Sequence, residues 1–388
     1  MQNRITTYNH LPIQFTHGNG IYLYATTNGQ QYIDTSSGVA VSALGHAHPE
    51  IIKEINEQSS LLIHCSNMVN NEWQQNLAEH LCSLSGLEQV FFTNCGASAN
   101  ETAIKCTRLY GKKIGNLNPK IIVMNNAFHG RTLTTLSASW DPKIREGFEP
   151  LVPGFICVPY NDIEAIKFVA KNNKDILAIL VEPIQGQGGI IVPDNDYLIK
   201  LRQLCDQNNW LLILDEIQTG IGRTGKMFCY QHNEILPDLV TIAKGIANGF
   251  PCGACLMGKK ATNLFKIGSH GSTFGGNPFI CRIANKVLSI IDETNLLDHV
   301  KEMGSYFLNK LQSLKHKNIA DIRGKGLLIG VEFNKPCKQL LEIGLNYHLY
   351  LNITQEKVLR LMPPLIIQKH EIDLLVSNLE LTLANWDN

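Results

Sequence analysis

Short apolar runs alternate with segments of helical period between about residues 90 and 260, and this alternation constrains the fold more than any other feature. "VFFTN" (90–94), "KIIVMN" (120–125), "FICVPY" (155–160), "ILAILVEP" (176–183), "LLILDE" (211–216) and "DLVTIA" (238–243) read as strands. "ANETAIKCTRLYG" and "DYLIKLRQLCDQNNW" read as helices between them. Such a chain predicts βαβ units in a mainly parallel sheet, with ligands bound beyond the carboxyl ends of its strands. After about 285 the pattern changes. A long helix runs through "LLDHVKEMGSYFLNKLQSLK" (296–315), with Leu297, Val300, Phe307, Leu311 and Leu314 along one stripe. "IRGKGLLIGVEF", "KVLRLMPPLII" and a closing helix near 370–386 follow. The expectation is an α/β fold: a large domain around a mainly parallel central sheet, plus a smaller α+β domain.

Composition narrows the partners. The chain has 388 residues, 44% hydrophobic and 18% charged, enough for a large core and more than one lobe. Lys plus Arg and Asp plus Glu both number 34, and no basic stripe interrupts the balance. That argues against nucleic acid or an anionic membrane as the main partner. The opening "MQNRITTYNHLPIQF" lacks the apolar core of a signal peptide, and no apolar run is long enough to span a bilayer. The 11 cysteines read as reduced, mostly packed thiols, so a cytoplasmic protein is expected. Cys252 and Cys255 in "PCGAC" have C-x-x-C spacing, but zinc wants a second such pair or paired histidines. The histidine pair in "GHAHP" (His46, His48) lies too far along the chain to be joined to it by spacing, and no metal site is expected.

The chemistry gathers at strand ends. "LLILDEIQTGIGRTGKMF" (211–228) places Asp215 and Glu216 directly after an apolar run, where an unpartnered buried carboxylate would take up a proton. A surface turn fits this stretch equally well. "TIAKGIANGFPCGA" (241–254) places Lys244 after the next strand; it either snorkels to water or, if enclosed, loses its proton and becomes a Schiff-base nucleophile. "VFFTNCGASANETAIK" (90–105) is a strand, a small-residue turn and a helix start, with Ser98 and Glu101 at capping-box spacing. Its Gly96-Ala97 turn at a helix N-terminus suits a phosphate. A pyridinium ring supplies the cation that Asp215 would face, with Lys244 on its aldehyde carbon and its phosphate at Gly96-Ala97. In "NNAFHGRTLTTLSAS", Phe128 can stack on such a ring. Arg131, and Arg360 in "KVLRLMPP", are candidates for carboxylates, or for surface ion pairs. Ser272 and Thr273 in "HGSTFGGNP" can present hydroxyls to a phosphate.

"FFTNCGASANETAIK", "AFHGRTL", "VEPIQGQGG", "LILDEIQTGIGRTG", "TIAKGIANGFPCGA" and "HGSTFGGNP" stand in the order and spacing of the class III pyridoxal-phosphate aminotransferases. The resemblance runs from "LPIQFTHGNGIYLYATTNG" to "RLMPPLII", almost the whole chain. It implies the aspartate-aminotransferase type fold (fold type I), the coenzyme pyridoxal 5'-phosphate, and a homodimer with shared active sites. With the change of pattern it divides the chain into an N-terminal segment (1–50) packing with the small domain, a large coenzyme domain (51–285) and a C-terminal small domain (286–388). "GVAVSALGHAHP" (38–49) resembles the subgroup that moves the ω-amino group of N2-acetyl-L-ornithine to 2-oxoglutarate. Other ω-amines of the family, ornithine, succinyl-diaminopimelate, putrescine and 4-aminobutyrate, are the alternative donors.

Carried over by position, the resemblance makes Lys244 the Schiff-base lysine and proton shuttle and Asp215 the partner of the ring nitrogen. Glu216 and Ile217 belong to the same coenzyme-binding stretch, and Gln218 approaches the ring hydroxyl. Gly96 and Ala97 hold the phosphate, Phe128 stacks on the ring, and Thr273 adds a phosphate contact from the partner subunit. Ser272 lies near the substrate, Arg131 holds the carboxylate of acetylornithine, and Arg360 takes glutamate's α-carboxylate.

Three positions depart from the family pattern. Cys95 and Ser98 in "NCGASA" stand where Ser and Glu are usual, and Gln187 in "EPIQGQGG" stands where a glutamate normally pairs with the arginine at 360. A neutral amide can accept from Arg360 but cannot neutralise it. Half-reaction rates for wild type and Gln187→Glu test the consequence. The ratio of acetylornithine to glutamate turnover is expected to shift severalfold, and an unchanged ratio would show that residue 187 has no part in discrimination.

Overall fold

The computed structural model describes residues 5–26 and 29–386. Its centre is a seven-stranded sheet whose strands are numbered here among themselves in chain order. These are β1 (Gln89–Thr93), β2 (Lys120–Met124), β3 (Phe155–Val158), β4 (Ile176–Val181), β5 (Leu211–Asp215), β6 (Leu239–Ile242) and β7 (Gly253–Met257). Their spatial order is β1-β7-β6-β5-β4-β2-β3. β4 and β5 are buried at every position, because helices cover both faces of the sheet and no position faces water.

β7 is antiparallel to both of its neighbours, β1 and β6, and every other pair is parallel. β1 therefore runs in the same direction as β2 to β6, and all six end at one edge. The expected strands are present within a residue or two. β7 was absent from the expected set, in which "PCGAC" figured only for its cysteine spacing. Cys255 lies on this strand and Cys252 just before it; both are fully buried, and burial pushes the Cys252 thiol up to about 12. Among the described residues no cluster suited to a metal ion is present.

Two smaller four-stranded sheets flank the centre. One joins Phe15–Asn19, Tyr22–Ala25 and Gln31–Asp34 to Leu349–Tyr350, the last pair parallel. The other joins Ile319–Lys325, Leu328–Phe333, Val358–Leu361 and Asn352–Thr354. The long helix forms over Leu296–Gln312, with Val300, Phe307 and Leu311 of the expected stripe fully buried. The closing helix spans Lys369–Trp386.

The helix after β1 corrects the capping-box expectation. It begins at Gly96 with Cys95 at the N-cap. Ser98 Oγ lies 3.3 Å from Cys95 Sγ, and Glu101 accepts from Thr132 Oγ1 at 2.5 Å, so neither caps a start at 98. The turn leaves the sheet edge so tightly that the helix starts two residues early.

Three backbones stack where the smaller sheets meet the centre. A Cβ on Gly304 of the long helix would lie 2.5 Å from the carbonyl of Gly326, and one on Gly326 would lie 2.6 Å from the carbonyl carbon of Thr224. Buried Arg223 sits beside them, donating from Nη1 to the carbonyls of Leu327 and Pro363 at 3.1 and 2.5 Å. Gly304→Ala forces backbone apart at a rigid contact and is expected to cost about 1–3 kcal/mol, read as a lower denaturant midpoint.

Candidate active site

The shared strand edge builds the site. Asp215 ends β5 and pairs across from Thr241 of β6, so Lys244, two residues beyond the end of β6, emerges beside it. Gly96 follows β1, Phe128 and His129 follow β2, and Glu182 follows β4. A cavity of about 580 Å³ opens there, a size suited to a small organic ligand. Gly96, Ala97, Phe128, Arg131, Gln187 and Arg360 line it, as do Asp215, Ile217, Gln218 and Lys244.

Asp215 is held by three partners. Its Oδ2 accepts from Asn100 Nδ2 and lies against His129 Nδ1, both at 2.8 Å, and Oδ1 accepts the Ile217 N–H at 3.1 Å. With the carboxylate ionised, the proton of the histidine bond belongs on Nδ1. Asn100 is oriented in turn: it donates to the His129 carbonyl at 2.8 Å and accepts from Thr241 Oγ1 at 2.7 Å. These partners fix the orientation of the buried carboxylate.

Lys244 is half-buried, and its amine is brought down to about 8 from an ordinary 10.5. Desolvation is the main cause, opposed by Asp215 and reinforced by Arg360. Its backbone also takes a left-handed φ of 48°, a strain that persists only where surrounding contacts over-determine the position. Nearby, Ser37 to Ala40 all have positive φ, and Val39 reaches the cavity from that turn. The Asp34 carboxylate pins the turn by accepting from the N–H groups of Ser36 and Ser37.

The two arginines differ. Arg131 is exposed at the mouth, its guanidinium 5.6 Å from the Phe128 ring centroid. Arg360 is 4% exposed; it donates from Nε to Asn352 Oδ1 at 2.8 Å, while Nη1 has no protein partner. Burial lowers it to about 10, and Glu182 pulls it back. The Gln187 backbone carbonyl accepts from Thr354 Oγ1 at 2.7 Å, fixing the adjoining wall.

Three sequence candidates do not reach this cavity. Glu216 points away and accepts from Thr219 Oγ1 at 2.5 Å and the Tyr230 N–H at 2.9 Å. Ser272 and Thr273 sit on a loop at a separate depression beside His64 and Asn67. Conversely, sequence reasoning passed over His129, Asn100 and Glu182. His129 stands inside the quoted "AFHGRTL", but only the fold reveals that it meets a carboxylate 86 residues away.

The residues fit a phosphorylated pyridine aldehyde on structural grounds. A Cβ at Gly96 would lie 2.7 Å from Ile217 Cδ1, so glycine lets this N-terminus pack closely on Ile217, with first-turn N–H groups free for an anion. Gln218 Oε1 is buried without a partner at the cavity wall, ready to accept from a ring substituent.

Fold and cavity together describe a pyridoxal-phosphate enzyme of the aspartate-aminotransferase type. The family model "Aminotransferase class-III" matches residues 5–383, and the chain belongs to that family. It is 47% identical to the acetylornithine aminotransferase of Nitrosomonas europaea, over 100% of this chain and 98% of that one. It is 44% identical to that of Methanocaldococcus jannaschii, over 96% and 94%. Among solved structures, an ornithine aminotransferase from Toxoplasma gondii superposes with a TM-score of 0.95 at 30% identity, covering 99% of this chain and 93% of that one. Acetylornithine aminotransferase from Elizabethkingia anophelis gives 0.89 at 32%, covering 99% and 97%. The protein is thus a pyridoxal-phosphate-dependent transaminase.

Only a neutral amine attacks an aldehyde. In the coenzyme-free protein, borohydride-trapped labelling of Lys244 by pyridoxal phosphate is expected to quicken with pH and level off above about 8. A rate still climbing towards 10.5 would contradict the electrostatics of this cavity.

Proposed function

We propose that the protein transfers the ω-amino group of N2-acetyl-L-ornithine to 2-oxoglutarate, releasing N-acetyl-L-glutamate 5-semialdehyde and L-glutamate, a step of arginine biosynthesis. The observation that carries this reading is a desolvated lysine at about 8 in one cavity with a hydrogen-bonded aspartate and two arginines. The sequence relatives named for acetylornithine, matched end to end, support the choice of donor.

Each residue then has a task. Gly96 and Ala97 would hold the coenzyme phosphate through backbone N–H groups, Phe128 would cover one ring face, and Asp215 would keep a proton on the ring nitrogen. When bound, the coenzyme supplies an electron sink for the amine-bearing carbon. Lys244 Nζ would take the proton from that carbon, a role suited to an amine whose affinity for protons sits near neutrality. Arg131 would hold the acetylornithine carboxylate, and Arg360, with Nη1 open, would take the α-carboxylate of glutamate or its oxo acid. Gln187, a neutral neighbour at the Arg360 end, would leave that guanidinium available in both halves of the cycle.

A homodimer completes the reading. Leu61, Ile63, Met68, Val69 and Phe274 are exposed apolar side chains on the two chain segments that line the depression holding Ser272 and Thr273. A second copy seated there would bury them and carry Thr273 towards its partner's coenzyme. No described helix is long and apolar enough to cross a membrane.

Initial rates on a panel of amines with 2-oxoglutarate test the donor, with Lys244→Ala as the inactive, colourless reference. The free α-ammonium of ornithine meets two guanidinium groups in a partly desolvated cavity. Acetylornithine is therefore expected to lead ornithine by about tenfold or more in kcat/KM, roughly 1.4 kcal/mol. A lead for ornithine, putrescine, succinyl-diaminopimelate or 4-aminobutyrate would reassign the substrate.

A further inference from the structure

Glu182 is the one cavity-lining acid that the proposed reaction leaves without a task. It is 6% exposed and follows directly on β4. Both of its oxygens are engaged by backbone: Oε1 accepts the Phe128 N–H and Oε2 the Gly186 N–H, each at 3.0 Å. Its own main chain is anchored from behind, where Tyr160 Oη donates to the carbonyls of Glu182 and Pro183 at 3.1 and 2.9 Å. No cation lies within ion-pair distance of the carboxylate among the described residues.

The two N–H groups belong to different walls. Phe128 presents the ring face, and its ring lies under the guanidinium of Arg131. Gly186 is the point where Gln218 crosses: a Cβ there would fall 1.8 Å from Gln218 Oε1, and Gln187 follows directly. We propose that Glu182 is the positioning residue of this cavity, a two-oxygen clamp that sets the Phe128–Arg131 wall in register with the Gly186–Gln187–Gln218 wall. The inference rests on the aminotransferase reading of the cavity. Glu182 touches neither reacting atom nor carboxylate; it acts through the residues that do.

Such a clamp works only as a carboxylate. A protonated acid turns one acceptor into a donor and sets it against an N–H. Burial pushes Glu182 up to about 7, with Asp215 raising it further and His129 and the two N–H groups opposing. Lys244 and Arg360 also bear on it, and Tyr160 packs behind it. The sign is that of a raised acid: the clamp is whole above about 7 and loosens as pH falls through that value.

The holoenzyme provides the test. In wild type the visible circular dichroism of the bound coenzyme, which reports ring tilt, is expected to change as pH falls through about 7. KM for 2-oxoglutarate should rise over the same window. Glu182→Gln, which mimics the protonated acid, is expected to show the low-pH dichroism at every pH. Its KM values for both substrates should rise by about tenfold with kcat changed less, the loss of one charge-assisted hydrogen bond. Dichroism and KM that are flat across the window in wild type would overturn the proposal without any variant. So would a folded Glu182→Gln enzyme within twofold of wild type in both. A wild-type protein that takes up no coenzyme would overturn the underlying reading, and this inference with it.

Discussion

Satisfying the buried Asp215 carboxylate with hydrogen bonds is the constraint on which the rest of the site depends. A carboxylate buried at a strand end needs donors in place of water. Here Asn100, His129 and the Ile217 N–H supply them, and Thr241 orients Asn100 from the neighbouring strand. The donors come from the helix after β1, the loop after β2 and the turn after β5, and the group orienting Asn100 comes from β6. The sheet order is thus what gathers these groups around one carboxylate.

The same carboxylate tempers Lys244. Desolvation alone would drive the amine further down, and Asp215 draws it back towards the value at which it can both accept and return a proton. Local strain accompanies this precision. Lys244 has a left-handed backbone, the Ser37–Ala40 turn is left-handed throughout, and the side chains of Ile217 and Gln218 pack closely on Gly96 and Gly186. A left-handed non-glycine residue costs about 1–2 kcal/mol, so these conformations stand only because hydrogen bonds such as those of Asp34 hold them.

Glu182 extends the principle from charge to shape. Its two oxygens tie together loops that leave different strands. Catalysis of this kind depends on geometry set before the substrate arrives, and loops need such ties more than strands do.

Hydrophobic runs without alternation were enough to specify a parallel sheet buried on both faces, and with it the edge where Asp215, Lys244, Gly96 and Phe128 would meet. The antiparallel β7 was not legible, because "PCGAC" carries turn residues and its burial comes from neighbours on both sides. The helix start at Gly96 was missed for a similar reason: capping-box spacing is a local signal, and the tight exit from β1 overrode it. Within the site, residue types told which groups had the right chemistry, and the motif order carried them to their positions. The pairings of His129 with Asp215 and of Glu182 with Phe128 belong to the tertiary structure alone. Hydrogen bonds between residues 86 and 54 positions apart leave no periodic trace in a chain, since only the folded sheet brings their partners within reach.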